Sequence, residues 1–255
     1  MSSPHPDRRR RGLATALTAA GALLCLQSVL GAASKSEPIK LKGDNIAGNA
    51  TSISMDNLDL TQGTTLLKAN KAAATDLVDD NYNNATWKLS GAVHLKTTDA
   101  TLDTQAATVV FADGHVKSTQ TQPAGSATDP KASGTVHLEF KSAVLDSQTA
   151  LVNFSEDNVS TAHTEGSPAT FSHLLKNSSK RITGQARRID YDAAKDRLYL
   201  TGDIRFFNGS VELKSESLWY NLGDGSYGSD SNSSVIFRPD ERVPTPRTPD
   251  RSTAK

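Results

Sequence analysis

The chain has 255 residues, with 28 basic and 28 acidic side chains, 36% hydrophobic and only 5% aromatic residues. That length suits one domain with terminal segments. The balanced charge excludes the basic face that nucleic-acid binding requires, and the single cysteine, Cys25, excludes a disulfide scaffold.

Residues 1–33 read as a secretory signal. Arg8 to Arg11 form a basic region, Leu13 to Leu26 an apolar stretch, and Gly31-Ala32-Ala33 a small-residue cleavage region, with cleavage expected after Ala33. Cys25 follows Leu24 rather than a small residue, so the pattern is not that of a lipoprotein. The remaining chain has no cysteine and 24 basic against 27 acidic residues, a net charge near −3. A cysteine-free exported chain suits a bacterial periplasm. Retention of residues 1–33 as a single membrane anchor is the alternative.

Repeats dominate the rest of the chain. Residues 91–116 and 134–159 align without a gap at an offset of 43, sharing Val-His-Leu, Leu-Asp, Phe and Val, and 202–227 aligns with the first at an offset of 111. A weaker copy lies upstream, where Leu58, Leu60, Leu67 and Ala72 match Val93, Leu95, Leu102 and Ala107 at an offset of 35. Units this short cannot each bury a core, so they must stack into a shared one.

Within each copy the apolar residues alternate, as on a strand with one buried face. The first copy places Trp87, Leu89, Val93, Leu95, Leu102, Val109 and Phe111 inward; the second places Val136, Leu138, Leu145, Val152 and Phe154. In the third, Leu198, Leu200, Ile204 and Phe206 face inward, Asn208-Gly209 makes a hairpin turn, and Val211, Leu213, Leu218 and Tyr220 continue the face. The phase breaks at Ser215–Ser217, which predicts a bulge or corner. Gln120–Lys131, with two prolines and a glycine, is expected to be a long loop, and Arg238–Lys255, with four prolines, a disordered tail. No helical stripe is present. The expectation is an all-β stack of repeated hairpins over 34–237.

No catalytic pattern stands out. His94, His115, His137, His163 and His173 are dispersed and read as solvated strand histidines, with no metal site. Asp79-Asp80 and Asp190-Tyr191-Asp192 sit among turn formers, and no serine lies in Gly-x-Ser-x-Gly. No cofactor is implied.

Gly166-Ser-Pro-Ala-Thr-Phe171, Ile182-Thr-Gly-Gln-Ala186, Ile189-Asp-Tyr191, Leu198-Tyr-Leu-Thr-Gly-Asp203 and Trp219-Tyr-Asn221 together resemble the LptA/OstA family, most closely over 165–237. Pro38-Ile39-Lys40-Leu41 is similar to the family's first mature strand. The resemblance implies a periplasmic β-jellyroll of stacked antiparallel strands, open at both ends, that carries lipopolysaccharide between inner and outer membranes, with acyl chains against the inward residues of the three copies. It also implies end-to-end partners: an LptC-like jellyroll at the N-terminal edge (Ile39, Leu41) and an LptD-like one at the C-terminal edge (Val235, Ile236, Phe237), or a head-to-tail homo-oligomer. Alternatives are a membrane-anchored LptC-like component, a structural β-repeat with no ligand, and a carbohydrate-active β-solenoid enzyme, which would need a carboxylate cluster on one sheet face.

Overall fold

The computed structural model describes residues 38–77, 82–122, 135–176 and 180–237. It is an all-β chain whose fifteen strands join into a single antiparallel sheet. In chain order they are β1 (Lys40–Asn49), β2 (Ser52–Gln62), β3 (Thr65–Thr75), β4 (Thr86–Lys96), β5 (Ala100–Ala112), β6 (His115–Thr121), β7 (Val136–Phe140), β8 (Ala143–Ser147), β9 (Thr149–Ser155), β10 (Asn158–Leu174), β11 (Arg181–Asp192), β12 (Arg197–Phe207), β13 (Val211–Asn221), β14 (Tyr227–Gly228) and β15 (Ser234–Phe237). The one helical element among the described residues is a 3₁₀ turn, Tyr82–Asn84.

Each long strand bends in its middle, so the sheet folds into two facing walls. Pairing registers slip at the bends: between Ser90 and Val93 in β4, Gln185 and Arg188 in β11, and Thr201 and Ile204 in β12. Two levels are split at the bend. The first half of β5 pairs with β7 and its second half with β6; β8 pairs with the second half of β10 and β9 with the first. The stack therefore has twelve levels, from β1 to the β14–β15 pair. At roughly 4.8 Å between strands it is about 53 Å long.

The repeats that begin at 91 and at 202 each open on a glycine that makes this corner. Gly91 and Gly202 occupy equivalent positions, both with positive φ (73° and 79°), followed by Ala92 and Asp203, also left-handed. A side chain at Gly202 would meet Arg187 Nε at 2.3 Å as well as straining the backbone. The expected break at Ser215–Ser217 is the same corner on β13: Leu213, Ser215, Leu218 and Tyr220 are buried in a stepped phase. There the Ser215 hydroxyl lies 2.7 Å from both Ser229 and Ser231 Oγ.

The inward phase read from the sequence coincides with burial throughout, except that Val211 is half-buried at the end of its strand. The Asn208-Gly209 turn forms, by a different division of labour. Only Gly209 adopts positive φ, while Asn208 acts through its side chain, accepting the Val211 N–H at 3.0 Å. The expected loop at Gln120–Lys131 starts later, because Gln120 and Thr121 still pair within β6; its remainder from 123, the Asp79-Asp80 pair, the N-terminal signal and the C-terminal tail lie outside the described residues.

Candidate functional site

Registers across the sheet align the inward residues into continuous files. On one wall, Leu41, Leu60, Leu67, Leu95, Leu102, Leu138, Leu145, Phe171, Gly184, Phe206, Leu213 and Val235 are successive cross-strand partners from β1 to β15. Gly184 is its one gap. The Phe171 ring fills it, so closely that a Cβ there would lie 2.2 Å from Phe171 Cε1. On the facing wall, Ile53, Ala74, Trp87, Val109, Thr119, Val152, Ala162, Tyr191, Leu198, Tyr220 and Tyr227 form a second file. We call these the leucine wall and the tyrosine wall.

Side chains of the two walls meet across the interior. Ring centroids of Phe140 and Tyr191 are 4.6 Å apart, of Phe206 and Tyr227 4.7 Å, and of Phe171 and Tyr220 5.5 Å. Opposite the corner, turns of one wall reach turns of the other along a seam. Gln62 Nε2 donates to Asn83 Oδ1 at 3.1 Å, the Val159 N–H donates to Asp99 Oδ1 at 3.1 Å, and Lys141 Nζ pairs with Asp196 at 2.7 Å.

His173 is the buried member of this seam. Its Nδ1 is 2.7 Å from the Tyr220 hydroxyl and its Nε2 2.8 Å from Ser142 Oγ, with 2% of the residue exposed. Burial lowers the His173 pKa below its usual 6.5, against a smaller opposing pull from Asp196, and pushes the Tyr220 hydroxyl up to about 12. Both are therefore neutral at pH 7, as a polar pair inside an apolar wall must be. This corrects the reading of His173 as a solvated strand histidine.

The other histidines are surface residues, but each has a carboxylate partner. His94 pairs with Asp103 at 2.7 Å, His115 with Asp157 at 2.8 Å, His137 with Asp146 at 2.6 Å, and His163 with Asp190. Asp190 is thus a strand residue in a cross-strand pair, whereas Asp192 does cap a turn, accepting the Ala194 N–H at 3.0 Å. The Asp146 hydrogen bond, aided by Glu139, raises the His137 pKa. Among the described residues no three such side chains converge as a metal-binding set.

The two edges differ. Ile39 and Leu41 at the β1 end are half-buried and pack on the core. Val235, Ile236 and Phe237 of β15 are exposed, Phe237 by 76%. Among the described residues β1 pairs only with β2, and β15 only with β13.

Residues 40–226 match the family model described as LptA/(LptD N-terminal domain) LPS transport protein. The chain belongs to this family. The matched span begins at β1 and runs to the turn before β14, so the LptA/LptD N-terminal family covers nearly the whole stack. It is a family of lipopolysaccharide-transport components rather than of enzymes. Among solved structures, the chain is similar to LptH of Pseudomonas aeruginosa, the LptA-homologous periplasmic component of its lipopolysaccharide transport device. Identity is 10% and the TM-score 0.30, over 80% of this chain and 96% of that one. No curated protein matches the chain by sequence.

Sequence reasoning found the interior faces and both edge segments. It missed the seam and the role of His173. The one available signal was that His173 alternates in phase with buried Phe171.

Proposed function

We propose that this protein is a periplasmic lipopolysaccharide carrier, exported by cleavage near Ala33, whose domain over 34–237 holds acyl chains between its two walls and links end to end with like-folded partners. The apolar file from Leu41 to Val235 carries this reading, because it joins one edge strand to the other without a polar interruption. Burying a twelve-carbon chain against such a surface gains close to 10 kcal/mol of gross transfer energy, at about 0.8 kcal/mol per methylene. Full enclosure would trap the lipid, so a carrier must exchange one apolar surface for the next.

Loading requires the walls to part along the seam, since their aromatic side chains touch. The edges then serve as joints, with the LptC-like partner adding a strand at Ile39–Leu41 and the LptD-like partner, or a second copy of the chain, at Val235–Phe237. Exposed edge strands are normally blunted, and the apolar exposure of β15 supports a paired role. The same wall-to-wall contacts favour a second reading, a structural β-repeat filled by its own side chains.

Photo-crosslinking in cells separates the two. A photoreactive residue at Leu102, Phe206 or Leu213 should give lipopolysaccharide adducts, whereas Thr101 and Glu212 should not. Folded, exported protein without adducts at any inward site would establish the filled repeat instead.

A further inference from the structure

The outer face of the leucine wall carries a file of its own. Lys42, Asp59, Lys68, His94, Asp103, His137 and Asp146 are successive cross-strand partners, in which every carboxylate lies between basic or imidazole groups up to the last. Three of these pairs close, Asp59–Lys68 at 3.2 Å, His94–Asp103 at 2.7 Å and His137–Asp146 at 2.6 Å. Beyond Asp146 the file continues through Thr170 and Gln185 to Arg205, which lies directly opposite Lys214 with no carboxylate paired to either among the described residues. Like charges in direct cross-strand register destabilise a sheet. A local rule broken without a compensating contact is a mark of function.

Arg205 is also distinct among the arginines. Four of the five in the described residues are engaged: Arg181 with Ser172 at 3.0 Å, Arg187 with Asp203 at 3.1 Å, Arg188 with Asp190 at 3.0 Å, and Arg197 over the Trp219 ring at 4.4 Å. Arg205 makes no ion pair or hydrogen bond among the described residues. It stands instead in an outward groove of about 520 Å³, within the range of small-ligand sites, about 300–1,000 Å³.

The floor of that groove is two short rows on β10 to β13: Thr170, Gln185 and Arg205, and beside them Thr183 and Phe207. Four strands make it about 14 Å wide. Asp146 and Glu212 stand at its rims, and Phe207 is 36% exposed. An exposed ring offers a platform for the C–H face of a pyranose. Hydroxyl, amide and carboxylate groups suit sugar hydroxyls, and Arg205, with Lys214 in register just beyond the groove, calls for an anion. We propose that this groove binds an anionic saccharide, phosphorylated or carboxylated, on the outside of the stack. Bound there, the anion relieves the repulsion that the apo sheet tolerates. The site is independent of any lipid role of the interior, so a chain that never loaded lipid would still bind the sugar.

Amide chemical shifts of the full chain test this with four probes: deacylated lipopolysaccharide, tetragalacturonate, inorganic phosphate and neutral maltotetraose. Either anionic saccharide should shift Gln185, Arg205, Phe207 and Lys214, at least tenfold more weakly in Arg205→Ala or Lys214→Gln. Response to deacylated lipopolysaccharide alone assigns the site to a lipid headgroup, and response to both assigns it to acidic glycans in general. Because each variant removes one of two repelling charges, its melting temperature should equal or exceed wild type, which separates lost binding from lost fold. No groove shift at millimolar saccharide, equal response to maltotetraose or to phosphate alone, or undiminished binding by both variants would overturn the proposal.

Discussion

The seam pair His173–Tyr220 allows a sharp test of how the two walls are held together. Tyr220→Phe keeps the ring contacts with Phe171 and Phe206 but removes the hydroxyl 2.7 Å from His173 Nδ1. A buried nitrogen left without its partner costs about 1–3 kcal/mol, which in a domain of roughly 200 residues lowers Tm by about 2–12 °C. His173→Leu removes the other partner and with it the need for the hydroxyl. The double variant should therefore lose less than the sum of the singles, by about 1 kcal/mol. Acid should reveal the same residue. Because the folded pKa of His173 lies below 6.5, the unfolded chain takes up a proton first as pH falls. The stability that His173 contributes is complete above pH 6.5 and declines as pH drops through its lower folded value. Urea unfolding at pH 7.5 and pH 5, followed by far-UV circular dichroism, measures both effects. A coupling within 0.3 kcal/mol of zero, or an unchanged acid sensitivity in His173→Leu, would refute a wall-to-wall bond at this position.

His137 should show the opposite sign. Its folded pKa is raised, chiefly by the Asp146 hydrogen bond, so its contribution is present below pH 6.5 and lost as pH rises through the folded value. His137→Gln should lose stability at pH 5 and match wild type at pH 9 in the same assay, the loss staying under about 1 kcal/mol for so exposed a pair. Leu102→Asp puts a charge where 1% of the residue is exposed and should abolish cooperative unfolding or cost more than about 4 kcal/mol, read by calorimetry. Gly202→Val, which meets both the positive φ and Arg187, should cost more than about 2 kcal/mol, whereas Gly209→Ala, with open space around it, should cost less despite its φ of 92°. Ile236→Pro should leave the stack folded by circular dichroism and reduce end-to-end crosslinking in cells, since it removes a backbone donor from the exposed β15.

Much of this architecture is local in origin and so could be read before folding. Alternation with period two places Leu95, Leu102, Leu138 and Leu145 inward because neighbouring residues on a strand must face opposite ways. The corner at Ser215–Ser217 showed itself as a broken phase, and Val235–Phe237 as an apolar segment just ahead of the proline-rich tail. What could not be read depends on distant partners. His173 and Tyr220 are 47 residues apart, and Asp99 meets Val159 across 60. Those meetings depend on how the sheet folds back on itself, which no single strand encodes. The repeat glycine was visible, but its role needed the φ angles at Gly91 and Gly202. The groove arises from register: Arg205 and Lys214 are ordinary outward residues until pairing sets them opposite each other.

The position of the bend has a consequence for how such a chain changes over time. Every level turns at the same corner and ends at the same seam, so a duplicated pair of strands can enter the middle of the stack with its files already in line. The repeat offsets of 35 and 43 differ by eight residues, yet Leu60, Leu67, Leu95, Leu102, Leu138 and Leu145 remain in one row. Surplus length collects where strands turn, between β3 and β4 and between β6 and β7. A lineage could thus lengthen or shorten the span by whole rungs while both terminal strands, and whatever they dock against, stay unchanged.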